Sequence, residues 1–312
     1  MGSYVHDDTW GSIHIEQVLA LELVDRGAVS KADFTVAIDC VNSVGGIIVP
    51  ALLKSLGVKR IVELNTTPDG HFAHNPEPLP ANLTEISALT ASSGADVGFV
   101  VDPDVDRLAI ICEDGSMFGE EYTLVAVSDY VLSATPGNTV SNLSSTRALK
   151  DVTEKHGGQY FTAAVGEINV VEEMKERGAV IGGEGNGGVI YPELHYGRDA
   201  IAGIALFLSH LARSGMSCSE LRKTYPDYFM AKKRLDLPEG VNFTRILDSV
   251  REDFAGHDID ERDGMRIEYA NGWVQIRKSN TEPIMRIYAE GPTIEDAENL
   301  ADRVIGIVKK VK

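Results

Sequence analysis

The sequence predicts an α/β protein: two consecutive α/β domains with mostly parallel mixed sheets, followed by a smaller α+β domain with an antiparallel sheet. Three observations predict it. Helix-like and strand-like segments alternate through the first third of the chain, as βαβ units require. The alternation restarts after the Asp114-Gly115 turn. From about Phe229 the texture changes to strands around a hairpin signal, closed by one amphipathic helix. Boundaries are expected to give domains at 1–115, 116–226 and 227–312.

Residues 13–24 have helical periodicity that stops at Gly27, and 34–38 read as a buried strand running into Asp39. Residues 47–56 form a helix closed by Gly57, then a strand at 60–64. After a Pro-rich passage at 68–80 come a helix near 83–91 and an apolar strand from Val97. The second unit reads as helix 121–132, strand 139–143, helix 147–156, strand 159–163, helix 168–177 and strand 179–182. A strongly apolar helix follows at 200–212. In the last unit Asn271-Gly272 is the favoured two-residue hairpin turn. Thr293 caps a final helix whose Ala297, Leu300, Ala301, Val304, Ile305 and Val308 share one face.

The 312 residues carry a net charge of −18, which argues against nucleic acid as a partner, because phosphate backbones demand clustered Lys and Arg. No segment approaches the ~20 apolar residues of a membrane helix. Cys40, Cys112 and Cys218 are widely spaced and odd in number, as expected of a reduced, cytoplasmic chain. Met1-Gly2-Ser3 reads as a start rather than a targeting segment. Nothing in the sequence sets an oligomeric state.

Asp102, Asp104 and Asp106 alternate at the end of an apolar strand, followed by Arg107 and a second apolar run. Three carboxylates so close repel unless a cation lies among them, and a hard ion such as Mg²⁺ takes oxygen ligands. A calcium EF-hand loop is excluded, since its sixth position must be Gly and here it is Arg107. A phosphatase using Asp102 as nucleophile is a rival reading. A second candidate site, Gly182 to Gly188, places Glu184 and Asn186 among five glycines, a pairing suited to sugar hydroxyls. A third joins Arg277, Ser279, Asn280, Thr281 and Arg286, forked cations and short donors that suit a phosphate dianion. Residues 90–93 and 74–76 read as structural, and His195, Tyr196 and Arg198 as surface polar residues.

These three loops, in this order, resemble those of the α-D-phosphohexomutases, which include phosphoglucomutase, phosphomannomutase and phosphoglucosamine mutase. Asn75-Pro76-Glu77-Pro78 resembles the passage before the metal loop in that family. The resemblance covers domains two to four and lacks the domain that carries the family's phosphoserine. It implies that Asp102, Asp104 and Asp106 hold Mg²⁺, that Arg107 assists catalysis, and that Glu184 and Asn186 hold the sugar. Arg277, Ser279, Asn280, Thr281 and Arg286 are then expected to clamp a phosphate. The implied reaction interconverts hexose 1- and 6-phosphate, of glucose or mannose, through a bisphosphorylated sugar. The chain alone is expected to be inactive; a phosphoglucosamine mutase, a phosphatase and a non-catalytic sugar-phosphate module are the alternatives. Asn186 and Gly188 stand where the family commonly has serine and, in many bacterial members, histidine.

Overall fold

A computed structural model describes residues 2–236, 242–279 and 284–311. The first region runs α1 (Trp10–Leu19), α2 (Arg26–Ala32), β1 (Thr35–Asp39), α3 (Gly45–Leu56), β2 (Arg60–Leu64), α4 (Thr84–Ser93), β3 (Val97–Val101) and β4 (Leu108–Cys112). Its sheet has the order β2-β1-β3-β4; the first two pairings are parallel and the last antiparallel. The expected helix at 13–24 ends at Leu19 instead, and a second helix begins at Arg26. The chain turns at 20–25 because Asp25 caps α2, accepting from Ala28 N–H at 2.9 Å, so Gly27 lies inside a helix and ends none.

The second region repeats the plan with α5 (Glu120–Ala134), β5 (Asn138–Asn142), α6 (Ala148–Lys155), β6 (Tyr160–Ala163), α7 (Glu167–Arg177), β7 (Ala179–Glu184) and β8 (Gly188–Ile190). The order β6-β5-β7-β8, with two parallel pairings and then one antiparallel, matches the first sheet strand for strand. Helices α8 (Ala200–Ser214) and α9 (Cys218–Arg222) follow. Every residue of α8 from Ala200 to Ser209 is buried, as expected of a helix apolar all round. It packs on α1, α2 and α3 of one region and on α5 of the other, so a continuous core joins both sheets.

The last region has a separate core. It holds β9 (Phe229–Asp236), α10 (Phe243–Asp253), β10 (Asp258–Asp260), β11 (Met265–Tyr269), β12 (Gly272–Lys278), β13 (Ile284–Gly291) and α11 (Ile294–Val308). Its sheet, β10-β11-β12-β13-β9, is antiparallel throughout. Thr293 caps α11, and Ala297, Ala301, Val304 and Val308 form its buried face, as read from the sequence. The hairpin turn sits one residue earlier than expected. Gly272 pairs with Tyr269, leaving Ala270 and Asn271 as the loop. Gly272 is needed for close approach instead, since a Cβ there would lie 2.1 Å from the Glu290 carbonyl oxygen.

Arg147 docks this region onto the second. Its backbone N–H donates to both carboxylate oxygens of buried Glu290 at 3.2 Å, and its guanidinium to the carbonyls of Ala270, Tyr269 and Gly272. That docking brings the expected phosphate loop to face the other two loops.

Candidate active site

The aspartate loop is the connection between β3 and β4. Asp102 is buried, and its Oδ1 accepts from the N–H groups of Asp106 and Arg107 at 3.1 and 3.0 Å. Burial pushes its carboxyl up to about 7, against the lowering effect of the Arg107 N–H bond. Asp102, Asp104 and Asp106 each offer an oxygen within 4.8 Å of the others, and buried Asp106 Oδ1 has no hydrogen-bond partner. An all-oxygen set with an orphaned buried acceptor fits a hard divalent cation. Val105, β-branched, is held at φ 61° by a hydrogen bond from Ala200 N–H to its carbonyl. Such strain persists only where surroundings enforce it. Arg107 Nε lies 3.5 Å from Asp102 and 3.7 Å from Asp106, and the Arg107 side chain is 30 % exposed toward the cleft.

The glycine loop is the equivalent connection, between β7 and β8. Glu184 is buried: Oε1 accepts from Asn142 Nδ2 at 2.8 Å and Gly166 N–H at 3.3 Å, Oε2 from Arg198 at 2.8 Å and Asn186 Nδ2 at 3.5 Å. A carboxylate accepts about four such bonds, so Glu184 is saturated and its longest contact is to Asn186. Beneath the loop, burial pushes the Glu121 carboxyl up to about 7 despite Lys232 Nζ at 2.9 Å.

Arg198 corrects the reading of it as a surface residue. Only 13 % of its side chain is exposed, and it donates to Asp106 of one loop and Glu184 of the other while pairing with Glu167 at 3.4 Å. Gly188 makes room for it: a Cβ at 188 would lie 2.4 Å from Arg198 Cδ. The loop's Gly187 carbonyl also accepts from Leu108 N–H at 3.0 Å, tying the two hairpins directly.

In the third loop Arg277 and Arg286 stand directly opposite each other on β12 and β13, and Arg234 of β9 stands opposite Arg286. Three arginines therefore form one row across three strands. Like charges directly opposed are destabilising, which an anion between them would relieve. Arg277 is 11 % exposed and pairs with Asp263 at 3.3 Å; Arg286 donates to Tyr288 Oη at 3.2 Å. Ser279 is buried and its backbone N–H donates to the Ile284 carbonyl at 2.9 Å. Asn280 and Thr281 lie outside the described residues.

A cleft of about 550 Å³ gathers Arg107, Glu184, Gly185 and Asn186 with Arg234, Arg277 and Arg286. Lys232, Lys233, Arg234, Asn142, Ser144 and Tyr288 also line it and were not singled out from sequence. The Lys232-Lys233-Arg234 run in an acidic chain was the available signal.

Family models described as phosphoglucomutase/phosphomannomutase, alpha/beta/alpha domain II, alpha/beta/alpha domain III and C-terminal domain match residues 13–115, 119–228 and 233–307. A probable phosphoglucosamine mutase of Methanopyrus kandleri is 32 % identical over 99 % of this chain and 68 % of its own length. A phosphoglucomutase/phosphomannomutase of Thermococcus kodakarensis is 35 % identical over 92 % of this chain and 63 % of its own. A solved phosphoglucomutase/phosphomannomutase family protein from Burkholderia thailandensis superposes with a TM-score of 0.82 at 28 % identity, covering 99 % of this chain and 66 % of that one. The chain thus spans about two thirds of the length of these relatives. It belongs to the phosphoglucomutase/phosphomannomutase family, over that family's domains II, III and IV.

Proposed function

We propose that this chain forms the metal, sugar and phosphate sites of a phosphohexomutase that interconverts hexose 1- and 6-phosphate. The observation that carries this is the single cleft in which Arg107, Glu184 with Asn186, and the Arg234–Arg286–Arg277 row meet. The arginine row clamps the phosphate that is not transferred, by charge-assisted and forked contacts. Clamping one end of the sugar fixes the other in line for transfer, where positioning lowers the barrier. A sugar hydroxyl reaches Glu184 by replacing the long Asn186 contact, and Asn186 then turns to a neighbouring hydroxyl. Arg107, which also lines the cleft, stabilises charge on the transferred group. Asp102, Asp104 and Asp106 would hold Mg²⁺, which supplies charge neutralisation for phosphoryl transfer when bound.

Asp102 is buried with two backbone N–H groups on one oxygen, which supports reading it as an anchor rather than as the nucleophile of a phosphatase. The substrate class is a hexose phosphate, of glucose or mannose; a phosphoglucosamine substrate is the second reading, favoured by the name of the Methanopyrus kandleri relative. We place the domain boundaries near 115 and 226, and the protein in the cytoplasm, where its three buried free cysteines fit a reducing compartment. Among the described residues no helix is long and apolar enough to cross a membrane.

No phosphoserine loop of the family's kind occurs in these 312 residues, so the chain by itself should not turn over. Coupled assays with glucose 1-phosphate and mannose 1-phosphate, with the bisphosphate activator added, should stay at background. Sustained turnover would overturn the expectation that these residues lack a phosphoryl carrier.

A further inference from the structure

Three side chains able to ligate a metal converge outside the cleft. Asp199 caps α8, its Oδ1 accepting from the N–H groups of Ile201 and Ala202 at 2.8 and 3.0 Å. Its Oδ2 lies 2.8 Å from Nε2 of His14, on α1, and 3.0 Å from Nε2 of His195, in the loop after β8. The three ligand atoms all lie within 4.8 Å of one another. The imidazole centroids are 5.9 Å apart with the rings tilted by 37°, so they splay around the shared oxygen rather than stack.

Without a metal, each Nε2 carries its proton to bond the carboxylate. With one, the protons sit on Nδ1 and both Nε2 lone pairs turn to the ion. Two imidazoles and a carboxylate suit a borderline divalent ion such as Zn²⁺, with water in the fourth position. Metal–ligand bonds of about 2.0–2.2 Å place tetrahedral neighbours roughly 3.4 Å apart. The present contacts need only open by about half an ångström to reach that spacing. The two backbone N–H groups on Oδ1 already orient the carboxylate, as outer-shell partners do in metal sites. The His195 side chain is 44 % exposed and that of His14 24 %, which leaves a way in. This set contains nitrogen, whereas the Asp102 loop offers oxygen alone, so the two sites select different ions.

We propose that His14, His195 and Asp199 form a second divalent-metal site, for ions of the Zn²⁺ class, that clasps α1 to the cap of α8. The clasp crosses between the segments matched to domains II and III, one residue from Arg198.

Zn²⁺ calorimetry and Co²⁺ visible spectroscopy on the 312-residue chain, in millimolar Mg²⁺ to occupy the aspartate loop, test it. One equivalent should bind, with four-coordinate Co²⁺ bands, and Zn²⁺ should raise Tm. His14→Gln and His195→Gln should each weaken binding by more than the roughly 10–100-fold that loss of an outer-shell partner costs. Asp104→Ala should bind Zn²⁺ as wild type does. His195→Gln alters a half-exposed side chain and keeps the test open if His14→Gln fails to fold. No Zn²⁺ binding in the Mg²⁺-saturated protein, or binding unchanged in the folded histidine variants, would overturn the site and leave Asp199 as acceptor in a hydrogen-bonded clasp only.

Discussion

The β3–β4 and β7–β8 hairpins occupy the same place in two sheets of identical strand order, yet one closes on three carboxylates and the other on glycines. Topology puts both loops at the carboxyl end of the third strand, where open α/β sheets hold ligands. The side chains then divide the work. The first loop is strained and anionic; the second is thin enough for Arg198 to pass over it and reach both. Duplicated architecture specifies where chemistry happens, and a few residues per loop specify which chemistry.

Four experiments can break or sharpen this comparison. Arg198→Ala should have the largest effect, because it strands Asp106 and Glu184 together. Breaking buried ion pairs costs about 3–5 kcal/mol, and urea unfolding measures it. A loss below about 1 kcal/mol would mean that the two loops are not held by this residue. Arg277→Ala should weaken glucose 6-phosphate binding about tenfold or more, a charge-assisted contact being worth roughly 1.5–3 kcal/mol. Arg277→Lys should recover only part of that, since it keeps the charge and loses the fork. NMR titration reads both, and shifts that survive Arg277→Ala unchanged would move the phosphate elsewhere.

Gly188→Ala should cost about 1–3 kcal/mol as an overpacked site, by pushing Arg198 off the loop. If the Arg198 contacts carry that cost, Gly188→Ala combined with Arg198→Ala should be far less than additive. Asp104→Ala should change stability least, by no more than about 0.5 kcal/mol, because the residue is exposed. The same variant should abolish the Mg²⁺ heat that calorimetry is expected to give with wild type. Indistinguishable heats would count against the aspartate loop as the metal site.

Much of this was legible along the chain because the chemistry is local. Asp102, Asp104 and Asp106 sit within five residues, Glu184 and Asn186 within three, and periodicity revealed the buried face of α11. What escaped was long-range. Arg198 is 92 residues from Asp106, and its role depends on a hairpin that brings residue 198 beside β8. Arg234 became part of the arginine row only when β9 paired with β13, which is separated from it by α10 and three strands. Asn271-Gly272 looked like a turn, but the approach of Glu290 to Gly272 decided the register.

The sequence by itself determined the fold class, the order of the three loops and the charge and hydrogen-bonding capacity each offers, since residue type and short spacing set them. Only the tertiary structure decided which loops share a cleft, which arginine joins them, and that His14, Asp199 and His195 meet. Those are encounters between residues far apart in the chain, and their geometry comes from how α8 is buried between two sheets and how β9 closes the third.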